Sequence, residues 1–291
     1  MDAAVLHVLN GLMYGAFLFL ISAGLTLIFG VMRIVNFAHG ALAMVGGYVA
    51  YAVATAYGGQ LVAGVLAAVL AMIVLGIGLE RLFLTRLYRR DELYQILFTY
   101  GLVLVAEDLV KILWGRGYKS LGPPPALAKP VQFDGVILPA YNLALITVAV
   151  VIAIALWILL HRTRYGAAVR AVSANREVAA ALGIDVTRIG AVVFGVGTGM
   201  AALGSSLFLP VLTVSPNYGA QVVVEAFIVV VLGGLGNIWG AAVGSALIGI
   251  SRAFGIAFIP SFEQALIYLV MALVLIVRPW GLFGTAPLER N

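Results

Sequence analysis

The stretch VLHVLNGLMYGAFLFLISAGLTLIF, Val5–Phe29, contains no Asp, Glu, Lys or Arg. In a helix, about 20 apolar residues rise far enough to cross the hydrocarbon core of a bilayer, which is roughly 30 Å thick. This stretch is therefore predicted to be a transmembrane helix. The whole chain has the same character, because 63% of its 291 residues are hydrophobic, only 10% are charged and the mean hydropathy is +1.11. A soluble domain carries about 25% charged residues, so the composition predicts an integral membrane protein.

Further apolar runs predict eight or nine crossings in an all-α helical bundle, with residues 1–291 forming one transmembrane domain. Besides Val5–Phe29, the clear candidates are Leu61–Leu84, Leu93–Trp114, Leu143–Leu160, Ile189–Val214 and Gln264–Val277. Two other segments are apolar but interrupted, and we expect them to be broken or re-entrant helices. These are Ala38–Tyr57, and Val222–Phe254 with its break GGLGN at Gly233–Asn237.

Basic residues set the predicted orientation, because Lys and Arg near span ends are retained in the cytoplasm. Arg86, Arg89 and Arg90 follow one predicted span, and five arginines lie between positions 162 and 188. Both segments are therefore predicted to face the cytoplasm. The segment at about 115–141 lies between them and contains GPPPALAKP, which cannot continue a helix because proline lacks the amide donor. It is predicted to be an external Pro-rich loop.

The cytoplasmic segment at about 163–188 contains a short predicted helix. Asn175 is suited to cap its start, and the negative charge of Glu177 suits its first turn. Gly183 is placed to end it in a left-handed conformation. The helix has two interpretations, a surface helix among lipid headgroups or a docking element for a soluble partner. Docking is favoured, because the polar face is not strongly basic and the apolar stripe is narrow.

Three blocks occur in order along nearly the whole chain: GLTLIFGVMRIVNFAHGALAMVGGY, NREVAAALGI and VVVLGGLGNIWGAAVGSALIG. Together they resemble the H-type permease subunits of bacterial branched-chain amino-acid ABC importers. The resemblance implies transport of leucine, isoleucine and valine across the bacterial inner membrane. It also implies a second permease (as a hetero- or homodimer), two cytoplasmic ATPases and an external solute-binding protein. The predicted helix would be the coupling helix that docks on an ATPase, comprising Asn175, Arg176, Glu177, Ala180, Ala181, Leu182 and Gly183.

The sequence lacks the motifs on which several other functional classes depend. The Gly-x-x-x-x-Gly-Lys-Ser/Thr motif is absent, so ATP would be hydrolysed by a separate polypeptide. There is no cysteine, and His7, His39 and His161 are far apart, so neither a metal site nor a cofactor is expected. We find no nucleophile with a base, so the chain is not expected to be an enzyme. The basic residues form short segments, which argues for contact with the bilayer and against nucleic-acid binding.

The stretch FGVMRIVNFAHGALAMVGGYVAY, Phe29–Tyr51, places Arg33, Asn36 and His39 among apolar residues. Facing lipid, an arginine at the bilayer centre alone would cost about 2.5 to 3.5 kcal/mol on insertion scales. Two explanations remain. In one, the three residues form a tight cytoplasmic turn with wet polar groups, and Gly40 starts the next span. In the other, the span is a broken helix in which Asn36 and His39 line or brace the solute pathway.

Similar reasoning applies to GGLGN, because broken backbone at membrane depth is tolerated only when it is buried in protein or lines a wet cavity. The candidate pathway or gating residues are therefore Asn36, His39, Gly40, Glu225, Gly233, Gly234, Gly236 and Asn237. Glu225 begins the run EAFIVVVL and has no partner nearby in sequence. Many members of the resembled family carry a basic residue near this position, so the departure bears on the exact solute.

Two alternatives stay open at this stage. One is an importer of the same class whose cargo is urea or a short amide. The other is an ion-coupled secondary transporter, which would need partnered carboxylates within the membrane, and Glu225 is one carboxylate of that kind. Uptake that survives loss of the ATPase and is abolished by uncouplers would favour the secondary transporter.

Overall fold

The computed structural model describes residues 2–88, 90–133 and 136–284. Within these residues the chain is mainly helical and carries one short two-stranded ribbon. In chain order the elements are α1 (Asp2–Met32), α2 (Ala38–Ala56), α3 (Leu61–Leu79), α4 (Thr85–Leu87), α5 (Glu92–Trp114), β1 (Pro130–Phe133), β2 (Val136–Pro139), α6 (Ala140–Arg162), α7 (Arg164–Ala174), α8 (Arg176–Ala181), α9 (Val186–Leu207), α10 (Tyr218–Gly233), α11 (Ile238–Phe258) and α12 (Glu263–Val277). A π-helical turn, Glu80–Leu84, joins α3 to α4.

Six helical segments in the described part of the chain are long and apolar enough to cross a membrane. They are Ala4–Met32, Leu61–Leu87, Ala140–Arg162, Val186–Leu207, Ile238–Phe258 and Pro260–Val277. The prediction of a polytopic helical membrane protein is confirmed. The predicted number of eight or nine crossings exceeds these six, because α2, α5 and the 16-residue α10 are helical but are not among them. The split of the long apolar run at GGLGN into α10 and α11 is as predicted.

Helix α1 forms the centre of the bundle, and α6 and α12 form part of its exterior. Of the 18 most apolar consecutive residues of α1, 89% are buried inside the protein. The corresponding share is 17% in α6 and 6% in the segment that contains α12. The exterior is apolar as well: Val74, Ile112 and Ile276 are more than 70% exposed. Such a surface suits hydrocarbon rather than water, because large apolar patches are rare on soluble monomers.

Small residues let neighbouring helices touch along their backbones. A Cβ added to Gly11 would lie 2.6 Å from the Cα of Ile250, and one added to Gly15 would lie 2.9 Å from the carbonyl oxygen of Ser245. A Cβ on Gly195 would similarly lie 2.6 Å from the side chain of Ile77. The glycine pairs spaced by four residues therefore pack α1 on α11 and α9 on α3, as is common in membrane bundles.

The predicted external loop contains two short β-strands, which the prediction of an all-α fold did not include. Strands β1 and β2 pair antiparallel, with Val131 opposite Leu138. The expectation of an all-α chain is therefore wrong for this ribbon, since the prolines around it exclude a helix. The segment before the ribbon pairs with the loop after α9, where Lys119 and Val214 exchange two backbone hydrogen bonds of 2.9 Å. These two connections thus lie at the same end of the bundle.

Candidate functional site

The helix predicted in the 163–188 segment is α8, and its ends are those expected from the sequence. The side chain of Asn175 accepts hydrogen bonds from the backbone N–H groups of Glu177 and Val178, both at 3.0 Å. Gly183 has φ +83°, a conformation that side chains rarely adopt. Its N–H donates to the carbonyl of Ala180, which closes the C-terminus. The structure thus confirms both caps that the sequence predicts for α8.

One face of α8 is apolar and uncovered. Leu182, which follows the helix, is 76% exposed and Val178 is 53% exposed, whereas Ala179 is buried on the opposite face. Glu177, Ala180 and Ala181 are exposed as well. These exposed residues combine the apolar side chains of Val178 and Leu182 with the carboxylate of Glu177. We call the exposed residues 177, 178 and 180–182 the docking face.

Arg176, the first residue of α8, connects the helix to the end of α3. Its guanidinium carbon lies 4.4 Å from the ring centroid of Tyr88, a cation–π contact. The Tyr88 hydroxyl donates to Oε1 of Glu80 at 2.5 Å, and Thr85 donates to the same oxygen at 3.1 Å. Burial, reinforced by the hydrogen bond and charge of Glu80, raises the pKa of Tyr88 above its ordinary value. Tyr88 is therefore a hydroxyl donor throughout the physiological range.

Glu80 is fully buried in the π-helical turn, and the sequence analysis missed it. π-Helical turns are rare in proteins, and those that occur often lie at functional sites. The available signal was a carboxylate following the apolar run of α3. A second link joins the cytoplasmic segment to α1, because the Ser173 hydroxyl donates to the carbonyl of Gly30 at 2.5 Å.

The polar cluster between α1 and α2 divides into an exposed part and a buried part. Arg33 is exposed and has φ +53°, so the chain reverses there. Asn36 and His39 are fully buried, and the explanation in which all three polar groups are wet is wrong for them. Nε2 of His39 lies 2.9 Å from the carbonyl oxygen of Ile21, eleven residues before the end of α1. Residues 33–37 are non-helical and return alongside α1, so α2 begins beside the middle of that helix rather than at its end.

Gly40 brings the start of α2 against the start of α10. A Cβ at Gly40 would lie 2.0 Å from the carbonyl oxygen of Gly219, so only glycine fits at this crossing. The side-chain atoms of Asn36 have no hydrogen-bond partner among the described residues. A buried amide in that condition invites a functional explanation, since most buried polar groups are paired.

The GGLGN break forms a tight turn beside the end of α1. Gly234 and Gly236 have φ +101° and +82°, and the side chain of Asn237 caps α11 by accepting from the N–H of Gly240 at 3.0 Å. Gly233 lies against Gly240, where a Cβ would be 2.3 Å from the carbonyl carbon. Leu235 and Gly236 line an open pocket of about 580 Å³ whose other residues are Phe29, Gly30, Arg33, Val35, Glu92 and Ser173. The GGLGN break therefore lies beside the non-helical residues 33–37 that precede α2, whereas α2 itself is an unbroken helix, contrary to the expectation for Ala38–Tyr57.

Glu225 has partners that are remote in sequence. Nη1 of Arg252, on α11, lies 3.1 Å from Oε1 and 3.3 Å from Oε2 of Glu225. The hydroxyl of Tyr14, on α1, donates to Oε2 at 2.5 Å. Sequence reasoning found the carboxylate but neither partner, because they lie 27 and 211 residues away. On α5, Lys111 lies 3.0 Å from Asp108 and 3.9 Å from Glu107.

Comparison with known proteins places these features in context. The family model described as "Branched-chain amino acid transport system / permease component" matches residues 7–277. The chain is 26% identical over 297 residues to the high-affinity branched-chain amino acid transport system permease protein BraD of Pseudomonas aeruginosa, covering 98% of this chain and 97% of that protein. It is 28% identical to the corresponding LivH protein of Escherichia coli K12, covering 97% and 96%. The probable LivH of Methanocaldococcus jannaschii is also 28% identical, covering 94% and 91%. No solved structure matches the chain.

Proposed function

This chain belongs to the family of branched-chain amino acid transport permeases, and we propose that it forms, with a second permease, the membrane pathway of an ATP-driven importer for leucine, isoleucine and valine. The observation that carries the proposal is α8, a capped helix that presents the apolar Val178 and Leu182 to a partner. A surface of this kind suits docking on a soluble subunit. The chain itself has no phosphate-binding loop, so two separate ATPases supply the energy.

We propose nine crossings of the bacterial inner membrane, with the N-terminus outside and α8 in the cytoplasm. The six long apolar helices supply six crossings, and α2, α5 and α10 supply the others. This arrangement agrees with the position of the arginines between 162 and 188. It also puts the paired residues Lys119 and Val214 on the outer side, and the neighbouring Gly30, Ser173 and Gly236 on the cytoplasmic side.

Movement of α8 reaches the spans through the contacts already described. ATP binding draws the two ATPases together and displaces the docked α8. Arg176 stacks on Tyr88, which is hydrogen-bonded to Glu80 in the π-helical turn, so a displacement of α8 pulls on the end of α3. Ser173 transmits the same displacement to α1 through Gly30. Both helices run through the body of the bundle, so their tilt can alternate access between the two sides.

The pathway is assigned to the interrupted segments. Asn36, His39 and Gly40 lie where α2 starts beside the middle of α1, and Gly233, Gly234, Gly236 and Asn237 form the turn that adjoins the cytoplasmic end of α1. Discontinuous helices of this kind surround the binding sites of many transporters. Glu225 completes the set on α10. A solute-binding protein on the outer side delivers the amino acid to this route.

The experiment compares Glu177→Arg and Gly183→Pro with the unchanged chain in a complex containing the second permease and both ATPases. Proline cannot adopt φ +83° and lacks the N–H that bonds Ala180, so it disrupts the end of α8. We expect both variants to insert normally in the membrane and to lose ATPase association and leucine uptake. Ala167→Asp, an exposed position on α7, is the control and should retain both. Normal co-purification of both variants would disprove the role of α8.

A further inference from the structure

An arginine in a membrane-spanning helix lines a pocket between α1 and α11. The pocket has a volume of about 290 Å³, and its walls include His7, Asn10, Met13, Tyr14, Arg252 and Ile256. Arg252 lies in the segment Ile238–Phe258, one of the six helices suited to cross a membrane. Exposing the charge of an arginine to lipid costs free energy, so arginines within the membrane face a protein interior or a water-filled cavity. The pocket is therefore suited to polar contents.

The guanidinium of Arg252 is only partly engaged. Among the described residues its hydrogen bonds all leave from Nη1, to both oxygens of Glu225 and to the hydroxyl of Tyr14. Nη2 and Nε make none there, although a guanidinium carries five N–H donors in a rigid fork. The donors left over are available to a ligand in the pocket that the side chain lines.

The position of this fork is held firmly. The Glu225 side chain is 10% exposed and anchors one end of the guanidinium, and the Tyr14 ring lies 4.2 Å from the Arg252 Cζ. The backbones of α1 and α11 touch at Gly11 and Gly249, which fixes the two pocket walls against each other. A buried ion pair contributes little net stability compared with apolar packing. Stability alone therefore does not account for the pair, whereas a preorganised recognition group does.

We propose that Arg252 binds the carboxylate of the transported amino acid, and that Glu225 and Tyr14 are positioning residues for it. This inference rests on the proposed function and defines the cargo as a small apolar α-amino acid. Two parallel N–H···O bonds between a guanidinium and a carboxylate are both strong and directional. Met13 and Ile256 provide apolar surface for a branched side chain, and the exposed Asn10 offers an amide oxygen to the ammonium group. Urea and short amides lack the carboxylate that this arrangement selects.

The test uses the full complex of this chain, the second permease and both ATPases. Binding of radiolabelled leucine is measured without ATP and without the solute-binding protein, with competition by unlabelled leucine, leucinamide or isovalerate. Leucinamide lacks the carboxylate, and isovalerate lacks the ammonium. The variant is the double substitution Glu225→Gln with Arg252→Gln, which removes both charges and leaves no unpaired charge buried. Lys111→Gln, which removes a cation from the surface of α5, is the control.

We expect the unchanged complex and the Lys111→Gln control to prefer leucine over leucinamide by at least tenfold. In the double variant leucine binding should weaken at least tenfold and the preference over leucinamide should disappear. Arg252→Lys should recover part of the preference, because it restores the positive charge without the fork. Unchanged leucine binding by the double variant, a preference that survives in it, or no saturable leucine binding by the unchanged complex would overturn the inference. The proposed function fails separately, if the unchanged complex does not take up leucine with ATP and binding protein present.

Discussion

If α8 docks on an ATPase as proposed, truncating the apolar side chains of the docking face should weaken binding of the ATPase to the permease. The size of the effect follows from the exposed fractions of those side chains. In Val178→Ala with Leu182→Ala, five methyl-sized groups are lost from side chains that are 53% and 76% exposed. At about 0.8 kcal/mol for each buried group, scaled by these fractions, the lost contact amounts to roughly 2 to 3 kcal/mol. The dissociation constant should therefore rise roughly 30- to 150-fold. Alanine is the best helix former, so α8 itself is retained.

The assay titrates the purified ATPase onto the permease pair held in lipid nanodiscs and measures the dissociation constant. The matched control is Leu97→Ala with Val105→Ala on α5, a leucine and a valine that are 60% and 56% exposed. This control loses the same groups and should bind the ATPase normally. If the α8 variant binds as tightly as the control, the apolar side chains of α8 are not the contact and the reasoning is refuted.

Three further outcomes follow from the contacts described. Tyr88→Phe keeps the ring under Arg176 but removes the hydrogen bond to buried Glu80, so ATP hydrolysis should continue while leucine transported per ATP falls severalfold; an unchanged ratio, measured in proteoliposomes, would contradict this. Gly40→Ala should destabilise the protein by about 1 to 3 kcal/mol through overpacking and lower its melting temperature, whereas Gly78→Ala, which meets open space, should not. The chain has no cysteine, so an impermeant maleimide should label Lys129→Cys on intact cells; labelling only after permeabilisation would reverse the proposed orientation.

The features that sequence reasoning found are those determined locally. The caps of α8 follow from Asn175 and Gly183, because each acts on backbone groups within four residues. The helices follow from apolar runs and from the glycines and prolines that interrupt them. The family resemblance was likewise carried by contiguous blocks of sequence.

The features that it missed depend on contacts between distant segments. Nothing near Glu225 in sequence indicates Arg252 or Tyr14, which reach it from two other helices. Sequence reasoning also could not decide whether His39 is buried. The residues around it suit either a solvated turn or a buried helix start, and only the position of α1 distinguishes the two. Glu80 was missed because a single carboxylate at the end of a span is usually a surface residue, and its partner Tyr88 lies beyond a π-helical turn that no local pattern predicts.

The most direct measurement reconstitutes the permease pair into proteoliposomes with and without the two ATPases, and follows leucine accumulation against a gradient with ATP and the solute-binding protein supplied. We expect accumulation only when the ATPases are present, and none with a proton or sodium gradient in their place. Uphill accumulation by the permeases alone would contradict the claim that α8 receives work from a separate ATP-hydrolysing subunit.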